Sequence, residues 1–163
     1  MESQNERLIF RIADAEKDGN YIFACGRSAW IAVYGNDRRY NEDFYRSNTA
    51  AIMRHRNDNI IIAESLSGEK AGICIIDSRV PEQPKTGHIS LFYLEEGFRY
   101  RGLGALLMEA AEKHCRARGC MQMRLFVSNS NRPAKHFYAK HGYEKRGEQL
   151  SPFSGQTVLR KNL

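Results

Sequence analysis

The stretch Arg99-Tyr100-Arg101-Gly102-Leu103-Gly104 marks a change of period in the chain. Residues 88–94, just before it, are strand-like. After it, Leu103, Leu106, Leu107, Ala110 and His114 recur at i, i+3, i+4, i+7 and i+11, which predicts a helix with that face buried. A glycine loop thus joins a strand to a helix. Glycines let the backbone pass close to a ligand with no Cβ in the way. The free N–H groups of a first helical turn, with the helix dipole, favour phosphate. Arg99 and Arg101 add positive charge, so the stretch reads as a pyrophosphate cradle. It is not a Walker A loop, because the Gly-Lys-Ser/Thr end is missing, and it is not a complete GxGxxG fingerprint. The plainer alternative is a tight strand-to-helix turn with solvated arginines.

Working upstream, His88 to Leu94 reads as a strand, preceded by Pro81 and Pro84. Two β-branched strands, Ile60 to Leu66 and Ala71 to Asp77, form a hairpin around Ser67-Gly68-Glu69. Before them come a strand near 7–12 and two helices. The first helix is capped by Asp14 and runs to about Tyr34, with Ile22, Phe23, Trp30 and Val33 on its apolar side and Gly19 and Gly26 weakening it. The second runs from about Glu42 to His55, with Phe44, Ala51 and Ile52 as its buried stripe. Downstream, Gly119 is a C-cap candidate, and Met121 to Val127 is a strand. Asn131 caps a helix to about His141 that Gly142 closes. Residues 143–148 and 156–161 are closing strands. The order β-α-α-β-β-β-α-β-α-β-β describes an α+β fold, a mixed sheet covered by helices, as a single domain over residues 1–163.

Length and charge bound the function. The 163 residues are 42% hydrophobic and 27% charged with a formal charge of +6, ordinary for one globular domain. Apolar runs such as residues 29–34 fall far short of the ~18 residues of a membrane helix. Residues 1–6 are polar with no apolar signal region, so a cytoplasmic location without membrane attachment is expected. Cys25, Cys74, Cys115 and Cys120 show no metal-ligand spacing and read as reduced thiols. His114 beside Cys115 reads as a helix residue next to a small core residue. Residues 1–98 hold 12 bases and 15 acids, whereas residues 99–146 hold 11 bases and only Glu109, Glu112 and Glu144. The excess charge starts at the glycine loop, as expected if that segment meets an anion.

Arg99-x-x-Gly102-x-Gly104 is similar to the R/Q-x-x-G-x-G/A signature of the GNAT superfamily of acetyl-CoA-dependent N-acetyltransferases. Asn131-x-x-Ala134-x-x-Phe137-Tyr138-x-x-x-Gly142-Tyr143 resembles that family's N-x-x-A-x-x-(L/F)-Y-x-x-x-G-(F/Y) segment, in the family's order and separation. The order of elements resembles it too. The resemblance implies a GNAT-like fold with acetyl-CoA in a V-shaped gap where the strand ending near Leu94 splays from the strand at 121–127. Backbone groups of Phe92, Tyr93 and Leu94 would pair with the pantetheine amides, and those of Arg99, Tyr100, Arg101, Gly102, Leu103 and Gly104 would hold the pyrophosphate. Asn131 would lie near the cofactor arm, as a ligand, a helix cap or both. Tyr138 would protonate the leaving thiolate as general acid. His88, whose ordinary pKa of ~6.5 suits base work, is the first candidate general base. Glu95, Glu96 or a water chain are the others. A backbone N–H near Leu94 would polarise the acetyl carbonyl. Where the family often has Pro three residues before the loop, this chain has Glu96.

The resemblance implies direct transfer of acetyl to a primary amine in a ternary complex, without a metal, and since the family's members are often dimers it allows a homodimer. The acceptor pocket would fall at roughly 25–56 and 148–156, a stretch containing Trp30, Tyr34, Tyr40, Phe44 and Tyr45 beside Arg38, Arg39 and Asp43. Two other classes remain open: a non-catalytic acyl-CoA-binding module, and a basic nucleic-acid-binding domain. The second lacks a reader motif, so no nucleic acid is expected as partner.

Overall fold

The computed structural model describes residues 7–163, so the reading of residues 1–6 lies outside the described residues. The elements in order are β1 (Leu8–Ile12), α1 (Ala15–Tyr34), α2 (Glu42–His55), β2 (Ile60–Ser65), β3 (Lys70–Asp77), β4 (Thr86–Leu94), a 3-10 turn (Glu96–Phe98), α3 (Leu103–Ala117), β5 (Gln122–Ser128), α4 (Arg132–Lys140), β6 (Glu144–Leu150) and β7 (Gly155–Asn162). This is the expected order. The seven strands form one sheet, β1-β2-β3-β4-β5-β7-β6, in which β4 and β5 are parallel and every other pair is antiparallel. Among the described residues no helix is long and apolar enough to cross a membrane.

Both faces of the sheet are covered, so β2 and β3 are apolar at almost every position rather than at alternate ones. Ile60, Ile62, Ile73 and Ile75 face one way and pack with Ile22 and Cys25 of α1 and Ile52 of α2. Ile61, Ala63, Cys74 and Ile76 face the other way and pack with Leu103, Leu107, Met108, Ala111 and Cys115 of α3. The buried face of α3 is therefore rotated from the expected one. Leu106 is 39% exposed, and Ala110 and His114 are only partly buried. Packing against β3 buries the stripe through Leu107, Ala111 and Cys115 instead. In α2 the expected stripe is also corrected: Ile52 is buried but Phe44 is 59% exposed. Helix α1 runs through Gly19 and Gly26 because Asp14 caps it, accepting from the Glu16 and Lys17 N–H groups, and its Ile22 and Cys25 are buried against the sheet.

One ion network ties β1 to α1. Asp18 is fully buried, and Arg11 meets both of its oxygens at 2.7 and 2.9 Å. Lys70 reaches Asp18 at 3.2 Å, and the Asp14 N–H donates to it at 2.7 Å. These donors hold the Asp18 carboxyl far below the usual carboxylate range, Arg11 first among them.

Candidate functional site

A β-bulge opens the sheet. Ile76 pairs with Ile89 of β4, but the next β3 residue, Ile75, pairs with Leu91, so Ser90 is an extra residue. Pairing between β4 and β5 runs from Thr86↔Gln122 to Ile89↔Leu125 and stops there. Residues 90–94 therefore have no ladder partner on the side that faces β5 among the described residues, although 91–94 stay paired with β3, while β5 continues to Ser128 alongside β7. A cleft of about 830 Å³ fills the gap. Its walls include Phe92, Tyr93 and Leu94 from β4 and Phe126 and Val127 from β5, with Asn131, Phe137 and Tyr138 around α4 and Ala29, Ala32, Val33 and Tyr34 from α1.

The glycine loop closes one end. Tyr100 and Gly102 have positive φ, 61° and 76°, which a glycine adopts without strain. Gly104 is constrained by space instead, since a Cβ there would sit 3.1 Å from Phe137 and 3.3 Å from Leu94. Gly102 is the N-cap of α3 and supplies no side-chain cap, so the first-turn N–H groups are left for another acceptor. Arg99, Tyr100, Gly102 and Gly104 line the cleft; Leu103 is buried in the core. Arg99 folds back so that its Nε donates to the Leu94 carbonyl at 2.9 Å, with its guanidinium 5.3 Å from the Tyr93 ring. Arg101 lies over the Phe98 ring at 5.8 Å. The 3-10 turn that includes Glu96 carries the chain from β4 into this loop.

Tyr138 is 8% exposed, lines the cleft, and stands among Phe92, Phe137 and Tyr143. Burial raises its pKa, so its hydroxyl is held protonated. Asn131 also lines the cleft, and it caps α4 by accepting from the Ala134 N–H at 3.3 Å.

His88 is placed differently. It lies on the paired part of β4 and is not among the cleft-lining residues. Its ring is 4.8 Å from that of Phe126, which does line the cleft. Its Nδ1 accepts from Arg124 Nε at 3.2 Å. Burial, then the Arg124 charge, lowers its pKa to about 4. It is a neutral acceptor in a structural cluster with Arg124, Glu82 and Arg160. Glu95, at the end of β4, has Oε2 3.5 Å from the hydroxyl of Tyr93. Among the described residues no acidic side chain lines the cleft directly.

Of the 11 bases in residues 99–146, only Arg99 and Lys140 line the cleft. Arg116, Lys145 and Arg146 are paired with Glu112, Glu148 and Glu144. Arg118 donates to Asn59 and Ser78. Part of the segment's charge is thus spent on structure away from the cleft. Residues that the sequence did not single out also line the cleft: Ser90, the small α1 side chains Ala29 and Ala32, and His136 and Lys140 of α4. Only the basic pair carried a sequence signal, spacing i, i+4 on one helix face.

The Acetyltransferase (GNAT) family model matches residues 13–143. An uncharacterised N-acetyltransferase of Archaeoglobus fulgidus is 31% identical over 91 residues, covering 54% of this chain and 61% of that relative's length. Glucosamine 6-phosphate N-acetyltransferase of Arabidopsis thaliana is 30% identical over 122 residues, covering 72% of this chain and 74% of the relative. The PaiA N-acetyltransferase of Thermoplasma acidophilum, solved in complex with coenzyme A, shares the fold at a TM-score of 0.75 and 17% identity, over 96% of this chain and 99% of that one. GNAT enzymes are acyltransferases whose donor is acetyl-CoA. A strand splayed at a bulge, a glycine loop on an uncapped helix and a matching family model over most of the chain lead to one assignment: the chain belongs to the GNAT acetyltransferase family.

Proposed function

We infer that this chain, as a single domain over residues 1–163, transfers acetyl from acetyl-CoA directly to a primary amine in a ternary complex. The open β4 edge at 90–94, leading straight into the uncapped N-terminus of α3, carries the reading. The residues fit the donor. Main-chain groups that no strand pairs on the β5 side suit the amides of a pantetheine arm, as an added strand would pair with them. First-turn N–H groups from Gly102 onward suit a pyrophosphate, and the missing Cβ at Gly104 leaves room for Phe137 and Leu94, which line the cleft beside it. Bound there, acetyl-CoA supplies an activated thioester.

The chain's own groups then divide the proton work. Tyr138, buried and protonated, presents its hydroxyl to the position of the leaving sulfur and stabilises it by donation. The acceptor ammonium loses its proton toward Glu95, relayed through Tyr93 or water, because Tyr93 lines the cleft and its hydroxyl is 3.5 Å from that carboxylate. His88 is left out of this scheme by its place behind Phe126. A main-chain N–H near Leu94 polarises the acetyl carbonyl.

The test is free-thiol release from acetyl-CoA across a panel of primary amines, with mass spectrometry of the products. Tyr138→Phe is expected to lower kcat about 100-fold while leaving coenzyme A affinity within about twofold. Turnover equal to that of the unaltered protein would remove the acid role. Tight coenzyme A binding with no thiol release for any amine would leave a binding module.

A further inference from the structure

A second, smaller cavity of about 140 Å³ adjoins the cleft through Tyr34, which lines both. Its other walls are Trp30 of α1, Asn36 and Arg39 of the α1–α2 loop, and Phe153 of the β6–β7 turn. The walls are pinned to one another. Trp30 meets Phe153 edge-on at 4.7 Å, and the Tyr34 hydroxyl is 3.2 Å from Ser154 Oγ. The Arg39 guanidinium lies over the Phe153 ring at 4.8 Å, and one of its N–H groups donates to the Pro152 carbonyl at 3.3 Å. Arg39 has no carboxylate partner among the described residues. The acid in its own loop, Asp37, is held by Arg27, and Glu42 is held by Arg46.

The charge of the two cavities is one-sided. Neither is lined by an Asp or Glu, so nothing there would hold a second cation on an acceptor. A guanidinium whose plane is set by a ring keeps its fork available for an oxyanion, and that geometry is matched by a carboxylate or a phosphate. At roughly 30 Å³ per water, the volume suits such a group with a few carbons and excludes a bulky one. Asn36 Oδ1 accepts from the Arg38 N–H at 3.1 Å, which leaves its amide to donate. Trp30 Nε1 is buried with no acceptor in the structure, so this wall holds donors in excess of acceptors.

We propose, on the amine-acetylation reading above, that the acceptor is a small primary amine bearing an oxyanion group, which Arg39 clamps in the Trp30–Phe153 pocket. The amine end then points along Tyr34 into the main cleft. A polyamine, with a cation at its far end, is excluded by the same charges.

Three matched series test this by thiol release: ω-amino acids of three to six carbons, aminoalkyl phosphates, and 1-alkylamines with the corresponding diamines. The expected result is that kcat/KM for at least one anionic series exceeds that of its matched alkylamine about tenfold or more. Arg39→Gln should shrink that ratio at least tenfold. Comparing carboxylates with phosphates identifies which oxyanion is used. Diamines as the best substrates, or a ratio that Arg39→Gln does not move, would overturn the proposal. A second readout separates it from the catalytic reading. Trp30 is the only tryptophan, so its fluorescence reports on the pocket without turnover. Saturable, Arg39-dependent quenching by the anionic amines with no thiol release would uphold the pocket and defeat the transferase reading. No quenching and no release would defeat both.

Discussion

The two ends of the cleft are built on opposite plans. The donor end is made of main chain from one continuous run: a bulged strand edge, a short turn, and the first turn of α3. Its chemistry is N–H groups, and its side chains matter chiefly by their absence, as at Gly104. The proposed acceptor end is made of side chains from three separated places. Trp30 and Tyr34 come from α1, Arg39 from a loop, and Phe153 from a turn 123 residues after Trp30. A site of main-chain donors takes any ligand with the right backbone-like groups and so can be reused. A site of distant side chains can change acceptor without disturbing the donor end.

The contrast can be broken experimentally. Gly104→Val should weaken coenzyme A binding most, by at least tenfold in a calorimetric titration, because a Cβ would meet Phe137 and Leu94 while the acceptor end is untouched. Retained affinity would show that the α3 N-terminus is not the anion site. An intermediate effect is expected at His88, which belongs to neither end. Its folded pKa of about 4 lies below the unfolded ~6.5, so the folded state favours the neutral ring. That preference stabilises the fold fully above pH ~6.5 and is lost as pH falls toward 4. The contribution is up to about 3 kcal/mol. Urea midpoints at pH 7 and pH 5 should differ less in His88→Gln than in the unaltered chain, while the pH profile of turnover keeps its shape. Loss of the acidic limb of that profile would restore His88 as the base. The smallest effect is expected at Arg146, which is paired with Glu144 on exposed β6. Arg146→Gln should change coenzyme A affinity less than twofold at physiological salt. A larger loss would mean that the basic segment acts as a field rather than through Arg99 and Lys140.

Much of the fold was legible because its signals are local. Asp14, Asn131, Gly35 and Gly142 mark helix ends with a cap or a positive φ, and all four stand where the chain turns. The glycine loop was legible for the same reason. What misled were features decided by a partner. Leu106 and Phe44 are apolar and correctly spaced, yet exposed, since the sheet meets another stripe of each helix. His88 has the intrinsic pKa of a base, but burial and the Arg124 charge lower it, and the ring stands outside the cleft lining. The +6 charge suggested an electrostatic setting for the donor, yet Arg116, Lys145 and Arg146 are paired near their own places in the chain, and of the eleven bases only Arg99 and Lys140 line the cleft.

The sequence by itself determined the elements, their order and the glycine loop. Capping, period and glycine conformation act over a few residues, and the main chain carries the chemistry there. Only the tertiary structure decided where the sheet opens, since that depends on Ser90 being left out of the β3 ladder. It also decided which polar groups reach the cleft and what the acceptor end would hold. Those properties depend on burial and on the meeting of side chains more than a hundred residues apart, and no local pattern encodes that meeting.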